Sequence, residues 1–178
     1  MHYPKFDSIE RYPANETAAF VGTKDAWGIF SNFAKTPMVV NGIEFACVEQ
    51  LFHYIRLNDE AEREAYLKIP LGLKLKIAAK KFAARGVQRS NWRSMAVDVM
   101  SFCLNQKYNQ SDAFRQELQR SAGMYIVENV SNRRKRKLDP WGAIYDETTN
   151  EYYGQNIMGR LLMELREKGR LEYEEFTI

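Results

Sequence analysis

Phe45-Ala46-Cys47-Val48-Glu49-Gln50-Leu51-Phe52-His53-Tyr54-Ile55 is a run of helical length in which polar positions are few. Residues three and four apart share one face of a helix. The run therefore predicts a helix, ending near Asn58, on which Glu49 shares its face with Phe45, Ala46, Phe52 and His53. A carboxylate in such company is costly unless it takes up a proton or finds partners. Chemistry is one common reason for a chain to keep such a group, which makes Glu49 the first catalytic candidate.

Reading outward from Glu49 gives the rest of the fold. Upstream, Met38-Val39-Val40, Asn41-Gly42 and Ile43-Glu44-Phe45 predict a hairpin, because Asn-Gly favours a type I′ turn. Before it, Trp27 to Phe33 is irregular and aromatic, and Ala18 to Val21 predicts a short strand ended by Gly22. Downstream, Asp59 caps a charged helix to Lys68. Leu71 to Ala84 carries apolar residues at Leu71, Leu75, Ala78, Ala79 and Phe82, with Lys on the other face. Asn91 is placed to cap a long helix from Trp92 to about Tyr108, with Met95, Val99, Phe102 and Cys103 inward, and Ser111 caps another through Leu118. Met124 to Glu128 predicts a strand. A long Gly- and Tyr-rich loop follows the basic run, and Asn156 begins a last amphipathic helix. The expectation is one domain over residues 1–178, α+β and mainly helical, with a small antiparallel sheet.

Composition removes several function classes. The chain has 178 residues and only two cysteines, Cys47 and Cys103, so a disulfide framework is excluded and both read as reduced core residues of an intracellular protein. Two histidines, His2 and His53, without nearby Cys/His spacing argue against a zinc site, and no metal or cofactor is expected. The N-terminal residues lack the layout of a secretion signal and no apolar run is long enough to cross a membrane, which favours a cytoplasmic protein without membrane partners. A net charge of +3 is too small to define a nucleic-acid binder. Its distribution says more, because Arg133-Arg134-Lys135-Arg136-Lys137 is five consecutive cations. That run reads equally well as a solvated loop and as a landing site for phosphate, nucleic acid included.

Asp139-Pro140-Trp141-Gly142 follows the run. Pro140 fixes its own φ and pushes Asp139 towards an extended conformation, which holds a carboxylate beside an indole. Asp-Pro also starts ordinary turns, and a loop Trp also plugs cores. An indole on a loop is equally a stacking platform, contributing ~1–3 kcal/mol per base. Asn91-Trp92 repeats the theme at a helix start with Arg89 and Arg93 alongside, where a phosphate can dock. Phe30-Ser31-Asn32-Phe33 places two aromatic faces around an amide able to pair with a base edge or a ribose hydroxyl. Asn156 is a further binding candidate, although capping accounts for it. Two carboxylates with aromatic platforms suit hydrolysis through a cation-like sugar transition state.

The ordered series Trp27 to Phe33, Val48 to Phe52, Asn91-Trp92, Asp139 to Gly142, then Asn156 with Gly159-Arg160-Leu161-Leu162-Met163 resembles the NADAR family (YbiA-like N-glycosidases) over roughly residues 18 to 170. The resemblance implies cleavage of N-glycosidic bonds, with substrates such as ribosylamino-pyrimidine phosphates of riboflavin synthesis or ADP-ribose on guanine of nucleic acid. It puts the family's glutamate on Glu49, its middle tryptophan on Trp92, and its late aspartate and tryptophan on Asp139 and Trp141. This chain departs from the pattern in having Val48 and Gln50-Leu51 around the glutamate, where Ser and His-Tyr are frequent. It also carries the cationic insertion Ser131 to Lys137, which favours a larger, more phosphate-rich ligand.

The leading expectation is an N-glycosidase in which Glu49 and Asp139 act on a ribosyl bond, with Glu49 handling a proton. The base would stack on Trp92, Trp141 or Phe30, Ser31, Asn32, Phe33 and Asn156 would contribute polar and aromatic contacts, and Arg89 and Arg93 would hold phosphate. The first alternative is a non-catalytic reader of ADP-ribose or nucleotides using the same pocket. The second is a nucleic-acid binder led by Arg133 to Lys137.

Overall fold

The computed structural model of the chain describes residues 4–132 and 139–178. The basic run Arg133 to Lys137 and His2 lie outside the described residues. The chain opens with two short strands, β1 (Glu10–Pro13) and β2 (Thr17–Phe20). Asn41 and Gly42 both take positive φ, 49° and 76°, as a type I′ turn demands. They close the expected hairpin of β3 (Met38–Val40) and β4 (Ile43–Phe45).

The hairpin shortens the helix expected around Glu49. Phe45 ends β4, and α1 runs over Val48–Arg56. Cys47 is extended (φ −163°, ψ 166°), and the Gln50 side chain accepts the Ala46 N–H at 2.9 Å, so the backbone turns into α1 only there. Phe45 and Ala46 therefore share no helical face with Glu49, whereas Phe52 and His53 do.

Two short helices follow. In α2 (Glu60–Leu67) the Asp59 carboxylate accepts the Glu62 N–H at 2.9 Å, the expected cap. The next, α3 (Leu73–Lys80), is shorter than the periodicity predicts, and Leu71 is 40% exposed rather than inward. Leu75, Ala79 and Phe82 are buried with Leu57 and Tyr66 in a small core of their own. The long helix α4 (Trp92–Gln110) is the centre of the molecule, with Met95, Val99, Phe102 and Cys103 buried as expected and Val97, Met100 and Leu104 buried as well. A helix apolar on nearly every side belongs in a core. Ser111 caps α5 (Asp112–Arg120) through the Phe114 N–H. The remaining elements are β5 (Tyr125–Glu128), β6 (Ile144–Asp146), β7 (Glu151–Gly154) and α6 (Ile157–Lys168).

β1, β7 and β6 form an antiparallel sheet in that order, so the stretch read as a Gly- and Tyr-rich loop contains two strands. β2 pairs with β5 in parallel, which adds to the antiparallel sheet predicted from sequence. The architecture is α+β and mainly helical. The main core gathers Ala18 and Ile126 from the parallel pair, Leu51 and Ile55 from α1, and Leu161, Leu162 and Leu165 from α6 around α4. Cys47 and Cys103 are buried free thiols. No helix of the described residues is long and apolar enough to cross a membrane.

Candidate active site

Glu49 enters the structure in the first turn of α1, and its backbone N–H donates to the Asn32 carbonyl at 2.9 Å. Its side chain is 15% exposed and finds a partner: Oε1 lies 3.1 Å from His53 Nε2, one helical turn on. Asp139 starts a tight turn, as Asp-Pro predicts. Its Oδ1 accepts the Trp141 N–H at 3.1 Å and its carbonyl accepts the Gly142 N–H at 3.1 Å. The turn is docked onto the start of α6, where the Ile157 and Met158 N–H groups donate to the Pro140 and Trp141 carbonyls, each at 3.0 Å. Donors left unpaired by the first turn of a helix are thus spent on holding the Asp139 loop.

Both carboxylates line one cavity of about 780 Å³. Phe52 fits between the two indoles, its ring 4.8 Å from Trp92 and 6.0 Å from Trp141, edge to face in both cases. Trp92 is nearly buried and Trp141 half-buried. Ser31, Asn32, Phe33 and Arg93 also line the cavity. Among the described residues the Asn32 Oδ1 is buried without a hydrogen-bond partner, while its Nδ2 meets the Met100 sulfur at 3.6 Å. A buried acceptor without a partner is costly, and a ligand's donor would satisfy it.

Three expected site residues lie elsewhere. Phe30 is fully buried and stacks on Trp27 (5.5 Å, 14° between planes), so it fills the core behind the loop. Arg89 donates through Nε to the Ile55 carbonyl at 2.7 Å and does not line the cavity. Asn156 is fully buried in left-handed backbone, donating to the Ile126 carbonyl (2.8 Å) and accepting the Glu128 N–H (3.2 Å). It ties α6 to β5 rather than facing a ligand.

The structure adds cavity residues not singled out from sequence: His53, Arg56, Lys76, Lys80, Gln88 and Glu128. The Arg56 guanidinium lies 5.6 Å from the centroids of both Phe82 and Trp92 and donates twice to Gln88 Oε1 (3.0 and 2.6 Å). Burial lowers the Arg56 pKa, and the neighbouring Tyr66 and Glu49 oppose that shift. Lys76 and Lys80 sit one turn apart on α3, and with Arg56 and Arg93 they add four cations to the cavity lining. Their spacing was visible in the sequence, but a solvated face looks the same. Among the described residues no group of three or more His, Cys, Asp or Glu side chains is placed to hold a metal ion.

The loop carrying Ser31 and Asn32 is pinned from beneath. Lys107 of α4 is 1% exposed and donates through Nζ to the carbonyls of Ile29 (2.5 Å) and Ser31 (3.2 Å), 4.5 Å from the Phe114 ring centroid. Burial pulls its pKa from 10.5 down to about 7. Between those values the unfolded chain binds a proton that the folded chain does not, so stability rises with pH through that window. Thermal melts of the wild-type protein and of Lys107→Met from pH 6 to 10 are expected to differ accordingly. The wild type should gain up to about 1.4 kcal/mol per pH unit relative to the variant, and parallel curves would show that Lys107 keeps its charge throughout.

Residues 19–170 match the model of the NADAR domain. The chain is 32% identical over 154 residues to N-glycosidase YbiA of Escherichia coli (strain K12), a match covering 86% of this chain and 88% of that protein. It is 26% identical over 191 residues to Protein irg-1 of Caenorhabditis elegans, across 94% of this chain and 85% of the relative. The NMR structure of the Escherichia coli protein YbiA superposes with a TM-score of 0.65 at 31% identity, covering 85% of this chain and 83% of the other. By domain match, sequence and fold together, the chain belongs to the NADAR domain family.

Proposed function

We propose that this chain is an N-glycosidase that hydrolyses a ribosyl N-glycosidic bond. The observation that carries the reading is the shared cavity of Glu49 and Asp139 with its two indoles. The relatives named N-glycosidase lend it independent support. As the C1′–N bond breaks, its electron pair leaves with the base nitrogen, which takes up a proton, and positive charge grows on the ribose. Water then adds to C1′ and gives up a proton, so one water is consumed per bond cleaved. Oriented carboxylates lower the energy of the cationic ribose electrostatically and accept the proton from water. The base stacks against Trp92 or Trp141, and Asn32 Oδ1 takes a donor from the base or a ribose hydroxyl.

The cations in the cavity lining suggest a substrate with phosphate, held by Lys76 and Lys80 of α3. ADP-ribose attached to guanine of nucleic acid and a ribosylamino-pyrimidine phosphate both meet that description. Incubation of the purified protein with each, followed by mass spectrometry, is expected to release free base from at least one. Ligand that stays intact on prolonged incubation would favour a non-catalytic reader instead. Lys76→Ala and Lys80→Ala are each expected to raise KM about 3–10-fold with kcat nearly unchanged, since a solvated ammonium contributes one charge-assisted contact. The effect should shrink at high salt and vanish for a dephosphorylated substrate. Equal effects on both substrates would place the phosphate elsewhere.

A further inference from the structure

We propose that His53 is the positioning residue of Glu49, a neutral imidazole whose Nε2–H fixes Glu49 as a hydrogen-bond acceptor. This rests on the N-glycosidase reading and deepens it, because it decides what Glu49 does. The argument is one of counting donors. His53 Nε2 lies 3.1 Å from Glu49 Oε1. Nδ1 is buried and has no hydrogen-bond partner among the described residues. Around it stand ring systems: Phe52 at 5.2 Å, Phe82 at 6.1 Å and Tyr66 at 6.3 Å between centroids, each edge to face. The Tyr66 hydroxyl is likewise buried without a partner, so it neither donates to Nδ1 nor accepts from it.

Three protonation states are open to the ring. The imidazolium carries two N–H donors, and one of them would point into an aromatic cage with no acceptor. The tautomer protonated at Nδ1 has the same orphan donor and also needs a proton on Glu49 to bridge to Nε2. The tautomer protonated at Nε2 leaves only a bare nitrogen unpaired, and under-satisfied acceptors are tolerated in interiors better than orphan N–H groups. That tautomer donates to Glu49 Oε1, and a charged acceptor there makes the stronger bond, which favours the carboxylate. The charged groups that line the cavity with the pair are Arg56, on the same helix, Lys76 and Lys80 of α3, Arg93 of α4, and the carboxylates of Glu128 and Asp139. Among the described residues none of them accepts a hydrogen bond from His53 Nδ1.

The consequence is a division of labour. Glu49 meets the substrate as an anion, facing the developing sugar cation or taking the proton that water surrenders. It does not give the leaving nitrogen its proton, which comes from another group on the cavity wall. His53 also locks the Glu49 rotamer, leaving Oε2 for the reaction.

Two measurements test this. In the wild-type protein, nitrogen-15 chemical shifts of His53 at neutral pH are expected to show Nε2 protonated and Nδ1 bare, and a ring protonated at Nδ1, or at both nitrogens, overturns the proposal. In turnover assays His53→Phe, which keeps the aromatic packing and removes the donor, should lower kcat about 10–100-fold with KM little changed. His53→Gln, whose amide N–H can reach Glu49 from the same position, should recover most of that loss. Wild-type kcat in both variants, alongside an inactive Glu49→Gln, removes His53 from the mechanism and leaves the N-glycosidase reading intact. A fully active Glu49→Gln defeats that underlying reading, whatever the tautomer of His53.

Discussion

Glu49→Gln is expected to fold normally, bind ligand and lose most turnover. The amide has almost the volume of the acid, and its oxygen accepts the His53 N–H as the carboxylate does. The side chain is only 15% exposed, so a substitution that keeps its volume and its hydrogen bond to His53 leaves the packing around it intact. What disappears is the negative charge opposite the ribose and the capacity to accept a proton. Proton transfer by a positioned group contributes roughly 10²–10⁴-fold, and loss of one electrostatic stabiliser of a transition state costs about 10²–10³-fold. A drop in kcat of about 10³-fold with an unchanged melting temperature is the expected result. Full activity in the variant would remove Glu49 from the chemistry.

The second large effect is on stability, and it runs against helix propensity. Gly159 lies in the first turn of α6, where alanine is ordinarily favoured over glycine by about 1 kcal/mol. A Cβ at that position would sit 2.0 Å from the Ile126 carbonyl oxygen and 2.4 Å from the Asn156 Nδ2. The first neighbour is backbone in the parallel strand pair, so the helix itself must move. The second is the side chain that bonds Ile126 and Glu128. Overpacking costs about 1–3 kcal/mol, and each buried group orphaned as Asn156 shifts adds roughly 1–3 kcal/mol. Gly159→Ala is therefore expected to destabilise by about 3 kcal/mol or more in denaturant titrations. A variant as stable as the wild type would mean that α6 does not approach β5 this closely.

Much of this architecture was legible because its signals are local. The Asn41-Gly42 turn, the Asp59 and Ser111 caps and the inward stripe of α4 depend on neighbours within a few residues. The strands β1, β6 and β7 are three or four residues long, carry Tyr and charge, and exist because residues far apart in sequence pair, as Tyr12 does with Tyr152. No local pattern announces that pairing. The same limit governs the site. Glu49 was visible as a carboxylate among aromatics, and Asp139 as a stiffened turn. Phe30 and Asn156 belong to the same motifs, but which side of a loop meets the cavity is set by tertiary packing, and both proved to be core. The reverse held for Lys76 and Lys80, because a helix face that meets a cavity has the same pattern as one that meets bulk water.

The Asp139 turn hangs from the N–H groups of Ile157 and Met158, and this has a bearing on when the protein becomes competent as it leaves the ribosome. A nascent chain that has emerged only as far as residue 155 already carries Glu49, Trp92, Trp141 and the cavity's cations, yet lacks the two helix donors that dock the Asp139 turn. Competence for the proposed hydrolysis thus arrives with the last helix, which docks the aspartate's turn.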